Sequence, residues 1–484
     1  MGHRVFERLL APLVAQVGYG HTQIYGGSSW SSDAGVWIEL QPISERLVVS
    51  AVCAQDQASA IGASVEAIEG IPTSLLARRM GERRGYENVY TNLNHLVEAI
   101  HSARGLADLL ERPALGDFVT FEVLTPGGRR QTLKVPVAAK KGPARLEAPS
   151  RIQLPPRDGA GLAAGFLDEA CTIGYFGMGS SMKYREAFEG WRSSGTISNR
   201  QLDAVVRDVT GQAATGDTVH RIAQIPAVTE RLMTLFSEMK AHKTSLLIID
   251  QRENEGGHSA FAGILEYFLY PLDAILTADE GYQVRRYSAL YFQNYTTDSI
   301  EQVRGRTSPD LQLGDYDFSS QREWERGRDA VPSAAELAQR RQHFLESETR
   351  RSPTFARALA ENRWNASWSP RVVVLTSART YSAGFDAVLT LRAHGAMVVG
   401  VPSSQAANCF IDTLSFQLTH SHLYGGLSFK WSVGLPKDLV AGSLLPPDRE
   451  LTYEQCKAMA FDPNAAVLLA MEAPAGKTAP PKRK

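Results

Sequence analysis

Ser382 stands at a point of the chain where a hydroxyl group could act as a nucleophile. Residues 371–377 form a short β-branched run that predicts a buried parallel strand, and residues 387–394 have the apolar period of a helix. A serine at this junction lies clear of the sheet. The N–H groups that follow it and the positive end of the helix dipole would face an oxyanion formed there. The ordinary alternative is that Ser382 only caps the helix, since serine is common at that position.

A second segment, residues 244–270, repeats this order of elements. An apolar strand over residues 246–249 is followed by a polar turn that ends in Gly256 and Gly257, and then by a predicted helix over residues 259–270. Two strand–turn–helix units with the character of a parallel sheet indicate an α/β core.

At these two turns the sequence resembles the tricorn and C-terminal processing serine proteases. The motifs that carry the resemblance are an Asp-x-Arg-x-Asn-x-Gly-Gly turn, a Thr-x-Ser-Ala-Gly turn and a Val-Val-Gly-x-Pro strand end, matched by Asp250, Arg252, Asn254, Gly256 and Gly257, by Thr380, Ser382, Ala383 and Gly384, and by Val398, Val399, Gly400 and Pro402. The resemblance implies an α/β fold with a crotonase- or ClpP-like protease core, an N-terminal helix and an inserted PDZ-like β-rich domain.

A histidine follows the first predicted helix. Residues 1–17 have an amphipathic pattern and lead into Gly20, His21 and Thr22. Members of the family that use a histidine base carry it in a Gly-His-Thr turn, which favours His21 over an ordinary loop histidine. His258 is a second imidazole near the predicted turn, and we interpret it as a residue at the start of a helix unless His21 proves remote from Ser382.

By resemblance, the chain is a serine endopeptidase that acts through an acyl-enzyme. Ser382 would be the nucleophile and His21 the general base and later general acid. The oxyanion would be bound by the N–H of Ala383 and an N–H from Gly256 or Gly257, where the missing side chains let the backbone approach a substrate. No metal and no cofactor is implied.

Two departures from the family pattern bear on this assignment. The C-terminal processing branch has a lysine about two dozen residues after its serine, but residues 403–407 contain none, which favours the tricorn-like branch and a histidine base. The acid that orients the histidine in that branch also has no clear match. Asp438 is one candidate, support from Ser28 or Ser29 is another, and the third possibility is a weak enzyme.

Residues 33–140 resemble a PDZ domain. The loop that binds a peptide carboxylate in such domains, and the strand that follows the loop, would begin at Gly35, Val36 and Trp37. Residues 65–70 resemble the Gly-x-x-Ile-x-x-Ile-x-Gly signature of PDZ domains, although its first glycine is displaced to Gly62. Such domains bind the ends of extended chains by adding a strand to their own sheet. The alternative is a structural β-module without a peptide ligand.

Composition and linker signals divide the rest of the chain. A Lys-, Arg-, Pro- and Gly-rich stretch predicts a linker, and a polar stretch inside the core predicts a lid, a substrate gate or an oligomer contact. The predicted units are an N-terminal helix and turn (1–32), the PDZ-like domain (33–140), a linker (141–165), the core (166–470) with its insertion (296–370), and a disordered tail (471–484).

The overall composition excludes several classes of protein. With 43% hydrophobic and 21% charged residues the chain is an ordinary globular protein, and its formal net charge of −1 gives no field that would attract nucleic acid. Four widely spaced cysteines argue against a zinc site and a disulfide framework, and no apolar run is long enough to span a membrane. The resemblance favours an extracytoplasmic location, although residues 1–17 lack the pattern of a signal peptide.

The departures keep two other functions open. The chain could be a peptide- or ligand-binding protein on the same fold, catalytically weak or inactive, with the PDZ-like domain as its active part. An acyl-CoA-binding crotonase is disfavoured, because no basic patch for the CoA phosphates stands out. The partners expected from the main reading are a protein or peptide substrate and, in an oligomer, further copies of the chain.

Overall fold

Three β-sheets organise the part of the chain that the computed structural model describes, namely residues 3–25, 34–139, 145–278, 281–327, 332–361 and 370–472. The predicted α/β class is confirmed. Ser28, Ser29, the first residues of the predicted linker and the tail from residue 473 lie outside the described residues.

The N-terminal segment is a helix followed by a short strand. Helix α1 (His3–Ala15) confirms the helix predicted over residues 1–17. Its Leu9 and Leu13 side chains are 58% and 61% exposed, so only part of its apolar face packs against the protein. Strand β1 (Gln23–Tyr25) pairs with a strand of the C-terminal half.

The next unit is a β-rich module with its own hydrophobic core. Its strands occur in the spatial order β2-β8-β7-β5-β4-β3, with β6 and β9 added at the side of β5 and β4. In β7 the alternate residues Val119, Phe121 and Val123 point inward, as expected for a sheet that faces solvent on one side. The elements are β2 (Ala34–Val36), β3 (Ile38–Ile43), β4 (Arg46–Val52), a 3₁₀ helix (Gln55–Ala60), β5 (Ser64–Ile68), β6 (Ile71–Pro72), α2 (Thr73–Gly81), α3 (Val89–His101), α4 (Ala103–Leu109), β7 (Phe118–Leu124), β8 (Arg130–Ala139) and β9 (Leu146–Glu147).

The remaining elements form the core and its additions. They are β10 (Leu162–Phe166), β11 (Ile173–Met178), α5 (Arg185–Ser193), α6 (Asn199–Thr210), α7 (Thr218–Ala223), α8 (Val228–His242), β12 (Leu246–Asp250), α9 (Ala260–Leu269), α10 (Leu272–Ile275), β13 (Tyr282–Arg286), α11 (Ala289–Asn294), α12 (Ile300–Arg306), β14 (Tyr316–Asp317), α13 (Ser319–Gly327), α14 (Ala334–Arg351), α15 (Pro353–Glu361), β15 (Arg371–Thr376), α16 (Ala383–Ala393), β16 (Met397–Gly400), β17 (Asn408–Gln417), β18 (Tyr424–Val433), α17 (Leu439–Ser443), β19 (Arg449–Glu450), α18 (Tyr453–Ala458) and α19 (Ala465–Met471).

A six-stranded sheet of order β10-β11-β12-β15-β16-β19 forms the centre of the core. All its pairs are parallel except β10 with β11. Every residue of β12 is buried, because helices α8, α9 and α16 cover one face while α18, α19 and the β-rich module cover the other. Strands β12 and β15 are neighbours, so the turns after them leave the same edge of the sheet.

A second core sheet places the N-terminal segment. Its order is β1-β18-β13-β14, and β17 forms a long antiparallel hairpin with β18. Gln23 pairs with Gly426 across β1 and β18. This pairing brings the segment just before β1 to the edge of the core.

The predicted polar insertion, residues 296–370, is only partly an insertion. Its helix over residues 333–349 corresponds to α14, but α15 belongs to the core, because Phe355 is fully buried and packs against Tyr267 and Phe268 with ring centroids 5.4 Å and 6.4 Å apart. Ser352 and Thr354 donate hydrogen bonds to Glu189, which joins the start of α15 to α5. The polar composition of residues 296–370 gave no indication that α15 has a short apolar face.

The predicted linker also carries structure. Within residues 145–165, β9 pairs with β4 of the module. The first four residues of β10 also fall in this range, and they pair with β11 in the central sheet. Cys409 and Cys456 are buried as expected for small apolar residues, whereas Cys53 and Cys171 are half-buried. None of the described helices is long and apolar enough to cross a membrane.

A buried ion pair holds the turn after β12. Arg252 donates to both carboxylate oxygens of Asp250, at 2.9 Å and 2.6 Å, and the Tyr175 hydroxyl donates to Asp250 at 2.7 Å. Burial opposes the charged carboxylate, but Arg252 and the hydrogen bonds keep the pKa of Asp250 below its ordinary value. Asp250 therefore stabilises the fold above its ordinary pKa, and the contribution is lost as the pH falls through the lowered one.

We expect Asp250→Asn to lower the free energy of unfolding by about 3–5 kcal/mol, because it leaves the Arg252 charge buried without its partner. Urea denaturation at pH 7 measures the change. Asp208→Asn is the matched control: its pair with Lys183 is exposed, and its loss should cost less than about 1 kcal/mol. Equal effects of the two substitutions would contradict the assigned role.

Candidate active site

Asn254, a buried residue of the turn after β12, joins this turn to the turn after β15. Its Oδ1 accepts from the N–H groups of Ser181 and Gly256 at 3.0 Å and 3.1 Å. Its main-chain oxygen accepts from the N–H of Tyr381 at 3.0 Å, and a Cβ atom at Gly384 would collide with it. The Asn and the glycine of the two sequence motifs thus fit against each other.

Ser382 occupies a strained backbone conformation between β15 and α16. Its φ of 50° and ψ of −127° lie in a region that residues with a side chain rarely adopt. Its N–H donates to Gln405 Oε1 at 2.6 Å. Ser382 makes no side-chain cap bond to α16, so it is not the ordinary helix cap that the sequence left open.

The structure brings His21 to this hydroxyl. The Nε2 atom of His21 lies 3.2 Å from Ser382 Oγ, although 361 positions separate them in the chain. Thr22 explains the position, because its hydroxyl lies 2.5 Å from that of Ser428 and accepts the N–H of Ser428 at 3.1 Å. The His21 side chain is 9% exposed.

Two residues that the sequence analysis missed lie behind His21. The hydroxyl of Tyr381 lies 2.9 Å from His21 Nδ1 and donates to Glu87 Oε1 at 2.7 Å. Glu87 comes from the β-rich module, between α2 and α3, and its carboxylate is fully buried. Burial, and next the charge of Glu87, raise the pKa of Tyr381 well above its ordinary value, so the phenol keeps its proton.

The acid beside His21 is therefore not Asp438. Asp438 caps α17 by accepting the N–H of Ala441 at 2.9 Å. The sequence offered no signal for Glu87, since the motifs that carry the family resemblance lie elsewhere in the chain. Tyr381 carried a weak signal only, as the residue directly before the predicted nucleophile.

The three predicted oxyanion donors differ in what their N–H groups do. In the first turn of α16 the N–H groups of Gly384, Phe385 and Asp386 bond to main-chain oxygens of Tyr381 and Ser382, and that of Ala383 takes no part. Gly256 lies against Ser382, but its own N–H donates to Asn254. Gly257 is the remaining glycine of the turn, and it bridges to Ser181.

His258 lies at the start of α9, as the sequence predicted, and its ring packs in the interior. Its ring meets Trp191 edge to face at 5.4 Å, and its Nδ1 accepts the N–H of Ala260. Burial first, and then the charge of Arg351, lower the pKa of His258 to about 4.

A cleft with a volume of about 260 Å³ opens at Ser382 and His21. Its polar lining includes Arg84, Glu98 and Glu255. The residues predicted to bind a peptide end do not line it. Gly35 and Val36 pair with β8, Gly35 also bridges to Ser102, and Trp37 donates to Pro136 O and Ala138 O. Because this main chain is already paired, the predicted capture of a peptide end there gains no support.

Within the described residues, no group of three or more His, Cys, Asp or Glu side chains is arranged to hold a metal ion. The geometry thus defines a hydroxyl group beside an imidazole, next to a helix N-terminus and a cleft. Hydrolases that act through a serine nucleophile use an arrangement of this kind.

Comparison with known proteins agrees with this class. The model of peptidase family S41 matches residues 219–417, which include the turns after β12 and β15. The resemblance to the C-terminal processing and tricorn proteases is thereby confirmed, and it supports a peptidase. None of the curated proteins compared with the chain matches it.

Solved structures show the same fold. Mature CPAF in complex with lactacystin is 12% identical, with a TM-score of 0.52 over 96% of this chain and 87% of that chain. Mature CPAF alone is also 12% identical, with a TM-score of 0.51 over 98% and 89%. At this identity the similarity concerns the fold alone.

We expect Gly256→Ala to reduce the labelling of Ser382 by a fluorophosphonate at least about 10-fold, because the new Cβ would lie 2.5 Å from Ser382 Cβ at a φ of 110°. The labelling rate of purified protein measures the effect. Gly263→Ala in α9 is the control, since its Cβ would meet nothing within 4 Å. Unchanged labelling of Gly256→Ala would contradict the close approach.

Proposed function

We propose that this protein is a serine endopeptidase that hydrolyses peptide bonds through an acyl-enzyme at Ser382. The observation that carries the proposal is the 3.2 Å approach of His21 Nε2 to Ser382 Oγ on a strained turn. The match of the surrounding segment to a peptidase family supports the same reading.

In the first half of the reaction, Ser382 Oγ attacks the carbonyl carbon of the peptide bond. His21 Nε2 takes the hydroxyl proton, and the carbonyl oxygen becomes an oxyanion. The N–H of Ala383 and that of Gly257 are the proposed donors to it, while Gly256 provides the space beside Ser382. His21 then gives its proton to the leaving amine, and the acyl group stays on Ser382 as an ester.

In the second half, water replaces the amine. His21 removes a proton from the water as the oxygen attacks the ester carbon. The second tetrahedral intermediate collapses, His21 returns the proton to Ser382 Oγ, and the new carboxylic acid leaves. His21 thus acts as base and acid in turn, which needs an unprotonated Nε2 at the start of each half-reaction.

The substrate is a protein or peptide segment that reaches the cleft. The lining contains both signs of charge, and all three of these charged groups are already paired. Arg84 donates to Glu98 at 2.6 Å, and Glu255 accepts from Arg379 at 2.8 Å. This balance favours neutral polar side chains over strongly charged ones next to the scissile bond.

We expect Ser382→Ala and His21→Ala to lose at least about 10³-fold in fluorophosphonate labelling and in the cleavage of an unfolded protein substrate. Each variant removes one member of the proposed pair, and circular dichroism verifies the fold. Ser237→Ala and His343→Ala remove an exposed serine and an exposed histidine far along other helices, and both should keep full activity.

A well-folded wild-type protein that neither labels nor cleaves would overturn the peptidase proposal. The chain would then be a peptide-binding protein on the same fold. Activity that survives in Ser382→Ala would instead show that another nucleophile acts.

A further inference from the structure

Glu87 is a fully buried carboxylate whose hydrogen-bonded link to His21 runs through the hydroxyl of Tyr381. We propose that the β-rich module supplies the acid of this active site: Glu87, acting through Tyr381, is the positioning residue that holds His21 in the tautomer able to accept the proton of Ser382. The inference rests on the proposed peptidase function and adds two residues to its machinery.

The direction of the hydrogen bonds follows from the donor count. A protonated phenol has one hydrogen, and Tyr381 donates it to Glu87 Oε1 at 2.7 Å. The Tyr381 oxygen can then only accept at the contact with His21 Nδ1, so the imidazole proton must sit on Nδ1. Nε2 is left unprotonated, and it faces Ser382 Oγ as a base requires.

The energetics of Glu87 favour a role in charge stabilisation. Its side chain is fully buried and its Oε2 atom has no hydrogen-bond partner among the described residues. A buried carboxylate with an unused oxygen destabilises the fold unless a positive charge compensates it. The imidazolium that forms on His21 during catalysis would supply such a charge, because His21 Nδ1 lies 3.9 Å from Glu87 Oε1.

Gly20 makes the approach of the three groups possible. A Cβ atom at Gly20 would lie 2.7 Å from the Tyr381 hydroxyl oxygen and 3.2 Å from Glu87 Oε2. The N–H of Gly20 also donates to Glu87 Oε1 at 3.1 Å. The glycine before His21 is thus explained by the carboxylate and phenol that occupy the space.

Two other carboxylates act on His21 at longer range, but both are engaged elsewhere. Asp386 accepts from Ser259 Oγ at 2.7 Å, and burial raises its pKa. Asp412 pairs with Lys430 at 2.7 Å, and in spite of burial the charge of Lys430 keeps the pKa of Asp412 below its ordinary value. Neither is hydrogen-bonded to the imidazole, so neither fixes its tautomer.

Hydrogen bonds join the β-rich module to the core close to Glu87. Asn88, the cap of α3, donates to Ser403 O at 3.3 Å, and Thr91 of the same helix donates to Ser404 O. Ser403 in turn donates to Thr380 O at 2.6 Å. The position of Glu87 therefore depends on the docking of the module against the loop that also holds the nucleophile turn.

The test compares Tyr381→Phe, Glu87→Gln and the double variant with the wild-type protein. We expect each single variant to lose about 10²-fold in fluorophosphonate labelling rate, because the imidazole loses its fixed tautomer or the compensating charge. Since the two residues act as one chain, the double variant should be no more than about 3-fold slower than the slower single variant. Tyr86→Phe and Glu82→Gln are exposed neighbours in the sequence and should label at the wild-type rate.

The tautomer of His21 gives a second readout that does not need turnover. In ¹⁵N-histidine-labelled protein, with the His21 signals assigned by their loss in His21→Gln, we expect the wild type to carry its proton on Nδ1. In Tyr381→Phe the two tautomers should mix, because Nδ1 has lost its acceptor. A purely structural contribution of Tyr381 would leave the tautomer unchanged.

The outcomes separate the two proposals. Absent wild-type labelling counts against the peptidase, whereas wild-type labelling that persists within about 3-fold in both single variants overturns the role of Glu87 and Tyr381 alone. A wild-type His21 that carries its proton on Nε2 also overturns it. If Glu87→Gln does not fold, Tyr381→Phe and its tautomer decide the matter.

Discussion

The candidate active site depends on one buried residue, Asn254, which contacts both turns that leave the central sheet. Its side chain accepts from Ser181 and Gly256 and donates to Ser181 and Gln251, while its main-chain oxygen holds the N–H of Tyr381. A fully satisfied polar network in a low-dielectric interior is rigid. This rigidity supports the strained backbone of Ser382, which an isolated turn would not maintain.

The second requirement is that distant parts of the chain meet beside these two turns. His21 comes from the N-terminal segment, which β1 attaches to β18, and Glu87 comes from the β-rich module, which α3 attaches to the loop at Ser403. The proposed catalytic arrangement therefore requires both the pairing of β1 with β18 and the docking of the module. Neither His21 nor Glu87 belongs to a strand of the central sheet.

The loop at residues 403–405 contacts both the turn that carries Ser382 and the β-rich module. No lysine is present, and the polar side chains instead bind neighbouring backbone: Gln405 accepts the N–H of Ser382, and Ser403 donates to Thr380 O. The same loop receives Asn88 from the module. One loop thus contacts both the turn that carries Ser382 and the start of α3, which lies beside Glu87.

Much of the core could be predicted from the sequence. The apolar runs at β12 and β15, the glycine pair after β12 and the serine after β15 follow local rules, because buried parallel strands are continuously apolar and tight turns need residues without side chains. His21 became a candidate through the resemblance instead, because the family carries its histidine base in a Gly-His-Thr turn that Gly20, His21 and Thr22 match. The errors arose where composition misleads: α15 looked polar although Phe355 fills the core, and the predicted linker contains β9 and part of β10.

What only the tertiary structure decided is which acid accompanies the histidine. Asp438 was chosen by its distance along the chain from the end of the core, but sequence distance carries no information on a contact between separately folded segments. Glu87 reaches His21 because the module packs beside the nucleophile turn and Gly20 leaves room for Tyr381. The sequence by itself determined the strands, the turns and the two side chains, Ser382 and His21, that the structure brings together. Their partner depended on long-range packing, which no local pattern encodes.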